Sequence, residues 1–394
     1  MKVYTCEEIR EKLIQYHNID GSTKLLGEDG VSKIMERLGS IQYDPLNVVG
    51  RNADLVLQAR VKDYRPEHLH MLLYKEHSLL DGFDKEMCIY NTKDFPHFAR
   101  VREEHTKAVV NTLRYRGQME ALDILDDVRL FVKEHGLTGT KDISMGEVRQ
   151  SRWGHKKVSS AALDYLYHKG ELCVADKRGT QKYFDLTERV VPYDLYEADE
   201  MSLDEFLEWY VARRIKSLGC VWNKNGGAWQ GHFLSDKEVR ETVLQRLLDK
   251  NNITAFAIEE IDDIFYTSND FFVNLADEKQ EDYVRFVAPL DNMLWDRTMV
   301  ERLFDFVYRW EVYTPVDKRK YGYYVLPVIY NHNFVARFEP EPVSRAGCFC
   351  IKNWWWERNV SPNERMYAAI MLEMDRFSEY LGVESAKENR LKIV

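Results

Sequence analysis

Gln42 and Asp44 place an amide and a carboxylate two residues apart, just where the chain leaves a helical pattern. Upstream, Val31, Ile34, Met35 and Leu38 repeat at helical spacing, and Gly39-Ser40 punctuate the end of that pattern. With 41–44 extended, Gln42 and Asp44 project from one face while Tyr43 packs on the other. Pro45 biases Asp44 away from the α region and stiffens the exit. A carboxylate held firmly beside an amide can orient water and stabilise developing positive charge. The competing reading is a loop in which Asp44 caps the next helix and Gln42 is merely polar.

The elements that must position this pair belong to a chain of 394 residues, long enough for several cores and two to four domains. No run approaches the length of an apolar membrane span, so no membrane partner is expected. The start, Met-Lys-Val-Tyr-Thr-Cys-Glu-Glu, leads into a charged helical pattern rather than an apolar signal region. Six dispersed cysteines fit reduced thiols and a cytoplasmic location, and Cys348-Phe349-Cys350 without a nearby His is weak evidence for a metal.

The net charge is −10, so a nucleic-acid binder would need a local positive footprint. Residues 149–182 carry eight Lys/Arg against three acids, whereas 258–282 carry nine acids and one lysine. That segregation fits one face turned towards phosphate and another turned away; the plainer alternative is solvated surface.

Helical patterns cover 6–17, 31–38, 52–60, 65–80, 97–117 and 120–136, with 83–98 aromatic-rich and irregular. Ile143 to Val148 suggests a short helix, followed by the turn Arg152-Trp153-Gly154-His155-Lys156-Lys157. A second helix carries Ala162, Leu163, Leu166 and Tyr167 and stops at Gly170. A hairpin then runs from Glu171–Ala175 through the basic turn Asp176–Thr180 to Gln181–Leu186. Helix, turn, helix and basic-tipped hairpin is the winged-helix order. A similar order recurs at 202–273, with strands expected near 252–258 and 269–275. From 284 onward short aromatic strands suggest a small barrel, closed by a helix over 361–385.

The expected fold is therefore α+β and predominantly helical, with tandem winged-helix (helix-turn-helix) units and a C-terminal small β-barrel. The segments are an N-terminal helical or winged-helix region 1–135 carrying Gln-x-Asp, a winged unit 136–198 with a basic wing, a third winged-like unit 199–282, and the barrel with its helix over 283–394.

Three segments resemble the YcaQ-type crosslink-repair DNA glycosylases, a bacterial family of winged-helix proteins. They are Leu38–Val49 leading to Arg51 and Leu55–Arg60; Ser151–Gly154 through Ala162–Leu166 and Gly170–Leu172 to Tyr183–Pro192; and Ala288–Arg297 continuing through Glu301–Phe304 to Lys318–Pro327. The family's signature of Gln, an apolar residue, then Gln or Asp falls on Gln42, Tyr43 and Asp44. The resemblance implies excision of N7-alkylated purines, unhooking of interstrand crosslinks, and a basic channel for duplex DNA. An N7-alkylated purine is already a cationic leaving group, so the enzyme needs an oxocarbenium stabiliser and an aimed water rather than a strong general acid. Asp44 is assigned both tasks, and Gln42 fixes the water or the sugar-phosphate geometry.

No neighbouring lysine nucleophile is evident, which favours hydrolysis over lyase chemistry, with no cofactor, metal or obligate protein partner required. Expected DNA contacts are Arg51, Arg60, Arg152, Lys156 and Lys157, with Lys177, Arg178 and Lys182 on the wing. Asp291 and Asp296 flank Trp295 like a two-carboxylate site, but a structural role is the better reading. Trp354-Trp355-Trp356 reads as packing before base stacking. Two rivals stand: a non-catalytic winged-helix regulator, which has no use for a fixed Gln-x-Asp, and another glycoside or nucleoside hydrolase.

Overall fold

The computed structural model describes residues 1–146, 149–151, 154–273 and 282–393, and their contacts divide into two compact units: Met1–Leu69 with Leu207–Val394, and His70–Phe206. Among the described residues no helix is long and apolar enough to cross a membrane.

In the first unit the sequence Thr5-Cys6-Glu7-Glu8 closes a capping box on the helix Cys6–Tyr16. Thr5 Oγ1 accepts the Glu8 N–H at 3.2 Å, and Glu8 Oε2 accepts the Thr5 N–H at 2.8 Å. The next helix, Gly27–Leu38, starts one turn before the sequence pattern does, and Val31, Ile34, Met35 and Leu38 are all fully buried. Each such side chain contributes about 1.5–3 kcal/mol, so this stripe fixes which way the helix faces.

The region expected to form a third winged unit is built differently. Its hairpin, Ile253–Ile258 with Ile261–Ser268, sits inside a four-stranded sheet flanked by Cys220–Trp222 and by Lys2–Tyr4 from the chain's start, the latter in parallel. The second strand lies at 261–268 rather than 269–275. Ile261, Phe265 and Thr267 are buried at even spacing, a period that Asp262 and Asp263 conceal in the sequence.

The C-terminal strands form no closed barrel among the described residues. Val284–Phe286, Leu326–Tyr330, Asn333–Pro340 and Ile351–Trp356 make an open antiparallel sheet in that order, and the two end strands do not pair. A helix takes the place of the missing wall. Phe377 on Glu364–Leu381 packs edge-on against Phe286 and Phe349, at 5.3 and 5.1 Å between ring centroids.

The second unit carries the hairpin Leu79–Phe83/Met87–Asn91, within a stretch expected to be largely irregular. Its helices Ala99–Arg116, Leu125–His135 and Val158–Lys169 pack with the sheet Thr138–Gly139, Gln181–Leu186 and Leu172–Arg178. The hairpin read from 171–186 is present. The short helix expected at 143–148 is not formed over its described residues 143–146, and the small hairpin Arg149–Ser151/Gly154–Lys156 follows instead. The described residues thus form an α+β fold of helices and several small sheets, not tandem winged helices ending in a barrel.

Within the first unit His17 is fully buried; its Nε2 donates to the Leu218 carbonyl at 3.0 Å while Nδ1 faces Arg60 Nη2 at 3.5 Å. Burial, then the Arg60 charge, lowers its pKa from 6.5 to about 3. The folded state therefore resists protonation that the unfolded state accepts. Stability from this residue is complete above about pH 6.5 and is lost as pH falls towards 3, with a slope approaching ~1.4 kcal/mol per pH unit. Urea unfolding of the parent and His17→Gln across this window should show the parent losing the extra increment; parallel curves would refute it.

Candidate active site

Residues 38–42 are held at almost every carbonyl, which fixes where Gln42 and Asp44 stand. Ser217 Oγ donates to the Leu38 carbonyl at 2.5 Å, and Arg213 Nη2 donates to the Gly39 carbonyl at 2.7 Å and to Ser40 Oγ at 3.0 Å. Asn292 Nδ2 donates to the Ser40 carbonyl at 2.8 Å, and Asn52 Nδ2 to the Gln42 carbonyl at 2.7 Å. Asn52 also accepts the Leu290 N–H at 3.0 Å, so one side chain ties the motif to a segment 238 residues away. These bonds leave the short strand Ser40–Gln42 little freedom to shift.

Burial alternates along the motif: Ile41 and Tyr43 are buried, while Gln42 and Asp44 are half-buried. Gln42 Oε1 is itself buried and receives no hydrogen bond from any described residue. Asp44 Oδ1 accepts the Leu46 N–H at 2.9 Å, closing a turn over Pro45. Burial raises the Asp44 pKa above its ordinary 3.8, and the Leu46 N–H offsets part of that rise. Asp44 does not cap the next helix. That helix, Asn52–Gln58, has Arg51 at its N-cap position, which removes the capping role as an explanation of the carboxylate.

After the motif comes a group of which only Arg51, as a DNA contact, is assigned from the sequence. Arg51 pairs with Asp54 through two bonds of 2.6 and 3.1 Å, and Tyr64 donates to Asp54 Oδ1 at 2.7 Å. Gly50 has φ +120°, and a Cβ there would stand 2.2 Å from the Tyr380 hydroxyl, so no other residue fits without displacing Tyr380. Tyr324 is buried, and burial, then Tyr308, Asp44 and Asp54, hold its hydroxyl protonated. Its signal was present in the run Tyr321-Gly322-Tyr323-Tyr324, but nothing local shows which carboxylates it faces.

Residues 35–380 match the family described as DNA glycosylase AlkZ-like. The chain belongs to the AlkZ-like DNA glycosylase family. Membership makes DNA its substrate class. The chain is also similar in structure to the DNA glycosylase AlkZ of Streptomyces sahachiroi, with a TM-score of 0.65, 14% identity and 98% of each chain covered. At that identity the likeness speaks for the fold.

The expected DNA contacts of this AlkZ-like chain fall into different settings. Arg60 is fully buried and grips Asp291 with two bonds of 2.7 and 2.8 Å, so its guanidinium cannot meet phosphate as placed. Lys177 is likewise committed, buried against Asp81 at 2.6 Å, because its place in the hairpin points inward. Both assignments as phosphate contacts are corrected by this burial. Arg51 is mostly enclosed by its pairing with Asp54. Arg178 is exposed beside the Tyr183 ring, 4.3 Å from its centroid, and Lys182 lies 4.7 Å from that of Tyr167. Lys157 is half-buried at the N-cap of Val158–Lys169. Arg152 and the Lys156 side chain lie outside the described residues.

Asp291 and Asp296 are structural. Besides holding Arg60, Asp291 accepts the Met293 N–H at 3.0 Å. Asp296 caps the helix Arg297–Phe304 through the Met299 N–H and accepts the Trp222 indole N–H, both at 3.0 Å. Trp354 stacks on Phe338 at 5.9 Å and meets Trp356 edge-on at 5.4 Å, and all three tryptophans of the run are half-buried.

Proposed function

We propose that the chain is a monofunctional glycosylase that hydrolyses the N-glycosidic bond of N7-alkylated purines in duplex DNA, and that the same centre unhooks interstrand crosslinks joined through such bases. The observation that carries this reading is the clamped motif, with a half-buried carboxylate and a buried acceptor on one stretch of backbone. As the C1′–N9 bond breaks, its electron pair returns to the cationic purine and neutralises it. Positive charge moves to the sugar, where the Asp44 carboxylate stabilises it. Asp44 aims a water at C1′ and takes its proton as the new C–O bond forms, while Gln42 Oε1 accepts a hydrogen bond from that water.

Only ionised Asp44 can do this, and its pKa is raised. Activity should therefore fall on acidification with an apparent pKa above the 3.8 of an ordinary aspartate. The pH profile of kcat/KM for release of N7-methylguanine checks it, and a profile flat down to the ordinary carboxylate range contradicts the assignment. A duplex joined by an N7-linked crosslink should separate into two strands on a denaturing gel after treatment. Tight binding with no base released from either substrate would favour a regulator instead.

A further inference from the structure

We propose that residues 307–323 form a pre-shaped grip for duplex DNA, a surface of cations and exposed aromatic and aliphatic side chains on a backbone locked by two buried carboxylates. The inference rests on the glycosylase reading only for its partner, DNA. Its geometry stands independently.

The segment is anchored at both ends. Phe306 stacks on Phe334 at 4.2 Å, and the Tyr308 hydroxyl donates to the Val325 carbonyl at 2.7 Å. At the far end the chain enters Tyr324, which is buried. Between the anchors, buried Glu311 accepts the N–H groups of Lys320 and Tyr321 at 2.9 Å and of Gly322 at 3.3 Å. Burial would raise the Glu311 pKa, but these N–H groups hold it below the ordinary value, so the carboxylate stays charged. Glu339, also buried, accepts the Tyr323 N–H at 2.7 Å, and a Cβ on Gly322 would lie 2.5 Å from its carboxyl carbon. Only glycine lets that carboxylate sit flat against the backbone. Arg319 Nε completes the lock by donating to the Thr314 carbonyl at 2.8 Å.

What this frame presents is positive and apolar together. Arg309, Lys318 and Lys320 are exposed and Arg319 half-exposed, against Asp317 as the single exposed carboxylate of the segment. Tyr313 is 82% exposed, braced edge-on by Trp310 at 5.7 Å, and Val316 is 76% exposed. In a chain of net charge −10, such a concentration is a local footprint for phosphate. The aromatic supplies a sequence-tolerant stacking face.

Two variants test the grip on undamaged duplex, so the outcome does not depend on glycosylase activity. Lys318→Glu/Lys320→Glu should weaken binding by about tenfold or more at low salt and flatten the log–log salt slope by about 1.8, at ~0.9 per lost phosphate contact. Glu311→Gln removes a negative charge, so simple electrostatics would tighten DNA binding. Loss of the lock should instead weaken it several-fold, with a thermal melt confirming that the variant is folded. Unchanged affinity and slope in the double variant, or tighter binding by folded Glu311→Gln, would overturn the proposal. If both variants weaken binding while the parent releases no base, the grip stands and the glycosylase reading falls.

Discussion

Arg60→Ala should cost about 3–5 kcal/mol of stability, because it leaves Asp291 charged, buried and without its cation. The pair is fully enclosed, with bidentate bonds of 2.7 and 2.8 Å, and Asp291 also holds the turn that leads to Asn292. Asn292 in turn holds the Ser40 carbonyl two residues before Gln42, so loss of the pair loosens the motif as well as the core. A phosphate contact at Arg60 would behave differently. It would lower DNA affinity and leave the urea midpoint close to the parent's. Equilibrium unfolding distinguishes the two, and a midpoint within experimental error of the parent's would contradict the structural role. Arg60→Met with Asp291→Leu, which removes both charges, should recover part of the loss.

Asp44→Asn should slow base release by a factor on the order of 10²–10³, the usual cost of removing a preorganised electrostatic group. The substitution is nearly isosteric, and the asparagine carbonyl can still accept the Leu46 N–H that closes the turn. Stability should not suffer. The raised pKa means the fold disfavours ionised Asp44, a cost present at neutral pH and relieved as pH falls through that pKa. A neutral amide relieves the same cost, so thermal unfolding near neutral pH should occur at or above the parent's temperature. A variant that is both slow and unstable would mean that Asp44 works through the fold rather than on the sugar.

Local signals in the sequence are legible where the structure they specify is local. The stripe from Val31 to Leu38 and the hairpin around Gly179 need only neighbours within a few residues, and both are formed. Long-range pairing was hidden. Nothing in Lys2-Val3-Tyr4 announces a parallel partner at Phe256–Ile258, and without that strand the 202–273 region looks like a self-contained winged unit. The barrel expectation failed for a related reason: aromatic strands specify a sheet, but its closure depends on what covers it, here Glu364–Leu381. At the site, spacing and family resemblance singled out Gln42 and Asp44. The groups that hold them, Asn52, Arg213, Ser217 and Asn292, were invisible because their hydrogen bonds mostly span more than a hundred residues. Charge counting overestimated the DNA contacts, since a lysine or arginine looks the same in a sequence whether it meets phosphate or, like Arg60 and Lys177, a buried aspartate.

The most direct test is a single-turnover time course of N7-methylguanine release from a methylated duplex, with protein in excess and Asp44→Asn run beside the parent. The parent should liberate free base and leave an intact strand that breaks only on alkali treatment, while the variant lags by about two to three orders of magnitude. Superimposable curves for the two proteins, or no base released by the parent, would contradict a hydrolytic centre at Asp44.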